Sequence, residues 1–272
     1  MKTILFPTQF SREATERLKS ACRLALPNGA RIIVLVSIHI PDGYTYANAA
    51  EHNAFLKAEY QKSESAFKSL ESKAQADFTE KIHIDLEISI GNLASTILEA
   101  AEKFNPQAIL IGGEVYGKVN AVTEKLIQKL TCPVLAIPIN VKLDNAPKLV
   151  YATNFRKEDR RIIDKLLNFA MDFSGSLHCI HIEQDRGKHD YNKVLPWHKG
   201  YQKEIDEGRI SFEVVCQEEV HQQVDSAWRK HQPGLWVLTV SRPNWKEWLF
   251  PSSTLSLDVS PVRSPVLALN RR

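Results

Sequence analysis

The sequence predicts an α/β protein built from two tandem units, each a five-stranded parallel sheet with helices on both faces. Three observations carry this. Short runs rich in Ile, Leu and Val lack apolar–polar alternation, as strands covered on both faces do. Stretches with apolar residues at three- and four-residue steps stand between them. And the chain is written twice: "TILFPTQF" (3–10) matches "KLVYATNF" (148–155), "PQAILIGG" (106–113) matches "PGLWVLTV" (233–240), and "CPVLAIP" (132–138) matches "SPVLALN" (264–270), in the same order. The copies lie about 130 to 145 residues apart, longer than any solenoid repeat. A chain of 272 residues suits two domains of about 100 to 150 residues each. We place them at 1–141 and 146–272, divided by the polar, proline-bearing "NVKLDNAPK" (140–148).

The first half reads in order as strands at 3–7, 31–38, 83–89, 107–112 and 133–138. A helix at 11–26 opens with Ser11 as its expected N-cap and repeats Leu18, Cys22 and Leu26. A longer helical stretch fills 46–79, with Phe55, Leu56, Tyr60, Ser63, Phe67, Leu70 and Ala74 at helical steps. It either covers one sheet face or docks a partner. A third helix at 93–104 carries Leu93, Ile97, Leu98 and Ala101 on one face. The second half repeats the strands at 148–152, 176–182, 210–215, 235–240 and 265–269, with a shorter segment, 185–207, in place of the long helix. Alternating β and α units imply an open parallel sheet, whose ligands bind beyond the carboxyl ends of the strands.

Composition removes several function classes. The net charge of +3 does not provide a general nucleic-acid or membrane surface. No apolar run approaches the ~20 residues that span a bilayer, and the N-terminus reads as a strand, so a cytoplasmic protein is expected. Cys22, Cys132, Cys179 and Cys216 form no C-x-x-C pair and read as reduced thiols. His178 and His181 would point to opposite faces of one strand, which makes them poor co-ligands of a metal. No G-x-S-x-G elbow, no spaced G-x-G-x-x-G and no H-E-x-x-H is present. No catalytic or metal-binding residue is therefore assigned.

The order of motifs resembles the universal stress protein family in its tandem form. "ILFPTQFS" is similar to that family's opening strand, V-P-x-D-x-S or P-T-D-F-S. "EISIGNLASTILEAAEKFNPQAILIGG" is similar to its V-x-x-G-x-x-x-x-x-I-x-x-A stretch and fourth strand, and "AVTEKLIQKLTCPVLAIP" to its S-V-A-E-K-V…C-P-V-L-V-V ending. The resemblance implies a Rossmann-like fold of the adenine nucleotide alpha hydrolase type. It also implies pairing through the last strand, which tandem members can make within one chain, a homodimer as the other arrangement, and stress survival through protein partners. In its ATP-binding branch a G-x-x-G-x9-G-[ST] loop holds the phosphates: glycines let the backbone approach, and amide N–H groups with a helix N-terminus bind the anion.

Both halves depart from that pattern. Where the family has an Asp after the first strand, this chain has Gln9, next to Thr8. Gly112, Gly113 and Gly117 remain in "IGGEVYGKVN", but Asn120 and Ala121 stand where Gly-Ser is expected, and the stretch from Gly112 to Pro133 is shorter than the pattern. Such a loop suits a smaller anion better than a triphosphate. In the second half Thr153 and Asn154 take the Thr-Asp place, and Ser252 and Ser253 the Gly-Ser place. Its loop "TVSRPNWKEWLFPSS" has no glycine, and Pro243 and Pro251 each remove an N–H. Trp245, Trp248 and Phe250 either fill the nucleotide space or form a partner surface. The expectation is a binding protein with impaired ATP sites; the other reading is an ATP- or AMP-binding member with weak hydrolysis.

Overall fold

The computed structural model describes residues 2–40, 48–112, 126, 129–137, 141, 143, 147–153, 155–183, 191–216, 234–240 and 265–270. The described strands are β1 (Thr3–Thr8), β2 (Arg31–Ile38), β3 (Ile84–Ile90), β4 (Ala108–Gly112), β5 (Val134–Ile137), β6 (Lys148–Ala152), β7 (Ser176–Glu183), β8 (Ile210–Cys216), β9 (Leu235–Val240) and β10 (Val266–Asn270). They form one sheet in the order β3-β2-β1-β4-β5-β10-β9-β6-β7-β8. Within each half every pairing is parallel. The two halves have the same strand order, and they meet where β5 runs antiparallel to β10, with Leu135 opposite Leu267. The expected pair of five-stranded sheets is thus one ten-stranded sheet. Lys2 also reaches across to Asp172 at 2.5 Å. At about a third exposure on each side this ion pair contributes at most about 1 kcal/mol.

Double coverage explains the strand composition. Along β1, Ile4 and Phe6 join one buried cluster with Leu18, Cys22, Ile32, Val34 and Leu110, while Leu5 joins another with Ile33, Ile97, Ile109 and Val134. The first layer is covered by α1 (Ala14–Ala25), α2 (Ala49–Gln75), α4 (Asp159–Asp172) and α5 (Tyr191–Gly200), and the second by α3 (Leu93–Phe104). A short helix α6 (Gln202–Asp206) follows α5. Successive strand residues enter opposite layers, so nearly all must be apolar.

Three local readings need correction. Ser11 is not the cap of α1: Glu13 is, with no side-chain cap bond, because the chain first makes a tight turn in which Ala14 N–H donates to Ser11 O at 3.0 Å. The long helix is shorter than 46–79, capped by Asn48, whose side chain accepts from Glu51 N–H at 3.0 Å. Its apolar stripe is buried only toward the C-terminal end, at Ser63, Leu70 and Ala74, while Tyr60 is exposed. Segment 185–207 gives α5 and α6; its first residues, 185–190, lie outside the described ones. Among the described residues no helix is long and apolar enough to cross a membrane, and no group of side chains could hold a metal ion.

Candidate functional site

The carboxyl edge of the sheet is where a parallel α/β fold presents its binding groups. Both halves build the end of their first strand in the same way. Thr8 Oγ1 accepts from Phe10 N–H at 3.1 Å, and Thr153 Oγ1 accepts from Phe155 N–H at 3.0 Å. Each hydroxyl closes a turn that holds its phenylalanine at positive φ, 55° and 54°, a conformation costly for a bulky residue unless the turn is fixed. The two threonines are therefore turn-makers first.

Beyond that turn the halves differ. In the first, Gln9 is exposed and Thr8 lies at the end of β1. Ile4 stands opposite Ala108 and Gly112 opposite Ile137, so counting along β1 sets Thr8 level with Gly112. Across Gly112 lies Arg17, from α1. A Cβ at Gly112 would sit 2.5 Å from the Arg17 guanidinium carbon and 3.0 Å from Nε, with a terminal nitrogen nearer still. Gly112 does not have positive φ, so the glycine serves close approach and not backbone conformation. Arg17 Nε is buried and has no hydrogen-bond partner among the described residues. Burial pulls the guanidinium below its ordinary range, partly offset by Glu13 one turn earlier. It remains a cation at any ordinary pH.

In the second half the same edge is closed by its own side chains. Thr153 is 6% exposed, and its hydroxyl donates to Asp159 Oδ2 at 2.9 Å. Asp159, 1% exposed, also accepts from Arg156 N–H at 3.0 Å. The Thr153 carbonyl meets His181 Nδ1 at 2.8 Å. Phe155 packs against His181, Trp197 and Phe212 with ring centroids 5.6–5.8 Å apart, and Trp197 stacks on Tyr201. Tyr201 donates to Asp164 Oδ1 at 2.5 Å, and burial with that carboxylate raises its hydroxyl well above the tyrosine range. Beside its threonine turn the second half thus has a buried acid and an aromatic cluster, whereas the first half has a cation against a glycine.

Of the residues expected at the sites, Thr8, Gln9 and Gly112 come together at one edge, and Thr153 takes its place at the other. Gly113, Gly117, Asn120, Ala121, Asn154, Ser252 and Ser253 lie outside the described residues, as do Trp245, Trp248 and Phe250. His178 and His181 do point apart. His178 bonds Ser211 at 2.6 Å and faces Glu213 at 3.3 Å, while His181 bonds Thr153. The thiols of Cys22 and Cys132 are poor nucleophiles: burial pushes Cys22 up to about 12 and Cys132 to about 11. Sequence reasoning missed Arg17 and Asp159. A signal existed for Arg17, a charge at helical spacing from Ala14, Ala21 and Leu24, all buried.

The Universal stress protein family model matches residues 1–138, just over half of the chain. No curated protein sequence matches. Among solved structures, a universal stress protein from Archaeoglobus fulgidus DSM 4304 superposes with a TM-score of 0.66 at 17% identity, over 99% of this chain and 96% of that one. A functionally unknown protein from Pseudomonas aeruginosa PAO1 gives 0.56 at 14% identity, over 99% and 92%. The cytoplasmic domain of a prokaryotic cation chloride cotransporter gives 0.55 at 10% identity, over 99% and 96%. At such identities these structures share the fold, and a fold hosts many functions. With the family match over residues 1–138, the chain belongs to the universal stress protein family.

Proposed function

We propose that this chain is a stress-response binding protein whose two ATP sites are degenerate, acting through a protein partner and without nucleotide turnover. The observation that carries the reading is the closed edge of the second half. There the Thr153 hydroxyl is committed to Asp159 and Phe155, and the buried carboxyl group of Asp159 would repel a phosphate brought to the same place. In the first half Arg17 lies against Gly112, the surface a polyphosphate would need to approach. The reading takes 1–141 and 146–272 as the two domains, paired within the chain through β5 and β10 as two copies would pair in a homodimer. It involves no metal, nucleic acid or membrane, and it places the protein in the cytoplasm, where Cys22, Cys132 and Cys179, the free thiols among the described residues, stay reduced.

The second reading, an ATP- or AMP-binding member with weak hydrolysis, is favoured by the cation and glycine kept in the first half. Native mass spectrometry of the freshly purified full chain, with and without added ATP and AMP, separates the two. The first reading expects no retained nucleotide and no phosphate release. Stoichiometric ATP or AMP would replace it with the second.

A further inference from the structure

We infer that Met171 is an oxidation site, converted to its sulfoxide by a peroxide, and that Arg209 then holds the sulfoxide oxygen. Met171 lies in the last turn of α4, and Arg209 immediately precedes β8. The pair therefore sits at the amino edge of the sheet, away from the edge that carries Thr8 and Thr153. Three features converge. Apart from Met1, Met171 is the only methionine of the chain, and it is 41% exposed, so it fills no gap in the core and is open to a small oxidant. The Arg209 guanidinium aims a terminal N–H at its sulfur, with Nη1 3.1 Å from Sδ. And that guanidinium is poorly satisfied. Nη2 pairs with Glu207, but Nη1 meets a thioether, a weak acceptor, and Nε is buried with no partner among the described residues.

The step balances with hydrogen peroxide as the oxidant. Arg209 occupies one side of the sulfur, and a second lone pair stays open. That pair attacks one peroxide oxygen; an S–O bond forms and the O–O bond breaks. The departing hydroxide takes the proton left on the transferred oxygen and leaves as water. Sulfur is thus oxidised by two electrons and the peroxide reduced by two. An apolar thioether becomes a polar sulfoxide. Its oxygen is a far better acceptor, and the flexible methionine chain can turn it toward the guanidinium, so a charge-assisted hydrogen bond replaces a weak contact. The backbone holds Arg209 in place: its N–H donates to Glu204 O at 2.8 Å, and its carbonyl accepts from Leu177 N–H at 2.9 Å. Oxidation therefore ties the end of α4 to the start of β8. The first half shows the contrast. The offset that pairs Thr8 with Thr153 pairs Leu26 with Met171, and Leu26, packed against the core, has no sulfur to oxidise. One such site per chain is expected.

The test treats the folded full chain with hydrogen peroxide, maps the products by peptide mass spectrometry, and compares thermal melts before and after treatment. Met171 should gain one oxygen. The oxidised chain should melt about 2–4 °C above the untreated one, against the usual disruptive effect of a sulfoxide. Arg209→Gln should still be oxidised at Met171 but lose that rise. Met171→Leu should show no rise with peroxide, which separates the effect from oxidation of the cysteines. Should Arg209→Gln not fold, Arg209→Lys takes its place: the charge remains without the planar fork, so a smaller rise is expected and an undiminished one is contrary. Met171 left unoxidised in the folded chain, an oxidised chain that melts no higher than the untreated one, or an equal rise in Arg209→Gln or Met171→Leu would each overturn the assignment.

Discussion

Among the described residues, Gly112 and Gly175 each leave an added Cβ less than 3.0 Å from a neighbour, and the kind of neighbour decides the cost of filling them. Gly175 leads from α4 into β7, with its N–H donated to Ala170 O at 2.8 Å. A Cβ on Gly175 falls less than 3.0 Å from the Pro147 carbonyl oxygen, with Pro147 C at 3.3 Å and Cδ at 3.4 Å. That oxygen also accepts from Ser176 N–H at 3.3 Å, so it cannot retreat without moving the start of β6 and loosening its register with β7. Overpacking of this kind costs about 1–3 kcal/mol. The stiffer unfolded chain returns about 0.4–1 kcal/mol, which leaves Gly175→Ala destabilised by roughly 1–2 kcal/mol. Gly112→Ala meets only the end of the Arg17 side chain, which can swing away for about 0.5–1.5 kcal/mol, so its net cost is near zero. Urea unfolding followed by circular dichroism should lower the midpoint of Gly175→Ala clearly below that of Gly112→Ala, with equal slopes. If Gly112→Ala proves the more destabilised, or Gly175→Ala matches the parent, the reasoning from rigid and flexible neighbours fails.

The two threonine turns should also separate. Thr153→Val strips the buried Asp159 of a donor and leaves Phe155 N–H unpaired, a loss of about 1–3 kcal/mol, whereas Thr8→Val removes only the Phe10 bond and should cost about 0.5–1.5 kcal/mol; thermal melts of the two variants rank them, and equal melting would refute the Asp159 contribution. Alkaline stability follows from Cys22, whose folded thiol is pushed from 9.0 up to about 12. The fold holds this proton more tightly than the unfolded chain, so the contribution is complete below about pH 9 and is lost as pH rises toward 12. Urea midpoints should therefore fall across that window, less so for Cys22→Ala, and prompt labelling of Cys22 by a thiol reagent in the native protein at pH 8 would contradict its burial.

The fold was legible because it is carried by repeated, doubly covered strands. Each expected strand exists within about two residues, since a run such as Ile32, Ile33, Val34 and Leu35 feeds both core layers at once and admits no other element. Helix starts were less legible. The N-cap rule pointed to Ser11, but the turn made by Thr8 and Phe10 moved the start of α1 inward, and no propensity records that a phenylalanine will take positive φ. Of the candidate site, Thr8, Gln9 and Gly112 could be found because motif positions name them. Asp159 could not, and Arg17 only as a charge on the buried face of α1, because each acts from a helix on a strand end and belongs to no local motif.

Those two residues also show how a duplicated fold can keep its frame and change its chemistry. The frame depends on positions the copies share: the threonine that closes the turn, the phenylalanine beyond it, and apolar strands that keep one order on both sides of the β5–β10 seam. Neither Arg17 nor Asp159 is needed for any of these. Ile162 fills the core where the first half has Arg17, and Ala14 is buried without strain where the second half has Asp159. A cation and an acid could therefore be placed at matching edges without disturbing strand order or register. The second edge used its acid to tie Thr153 and Arg156 into a closed turn, with Phe155 built into the aromatic cluster beside it. The first edge put its cation against a glycine, where its Nε finds no partner among the described residues. Closing an edge satisfies its polar groups internally and stabilises the fold, while a buried donor without a partner costs stability. The two copies therefore share one frame and differ, at matching edges, in how far their polar groups are satisfied within the described residues.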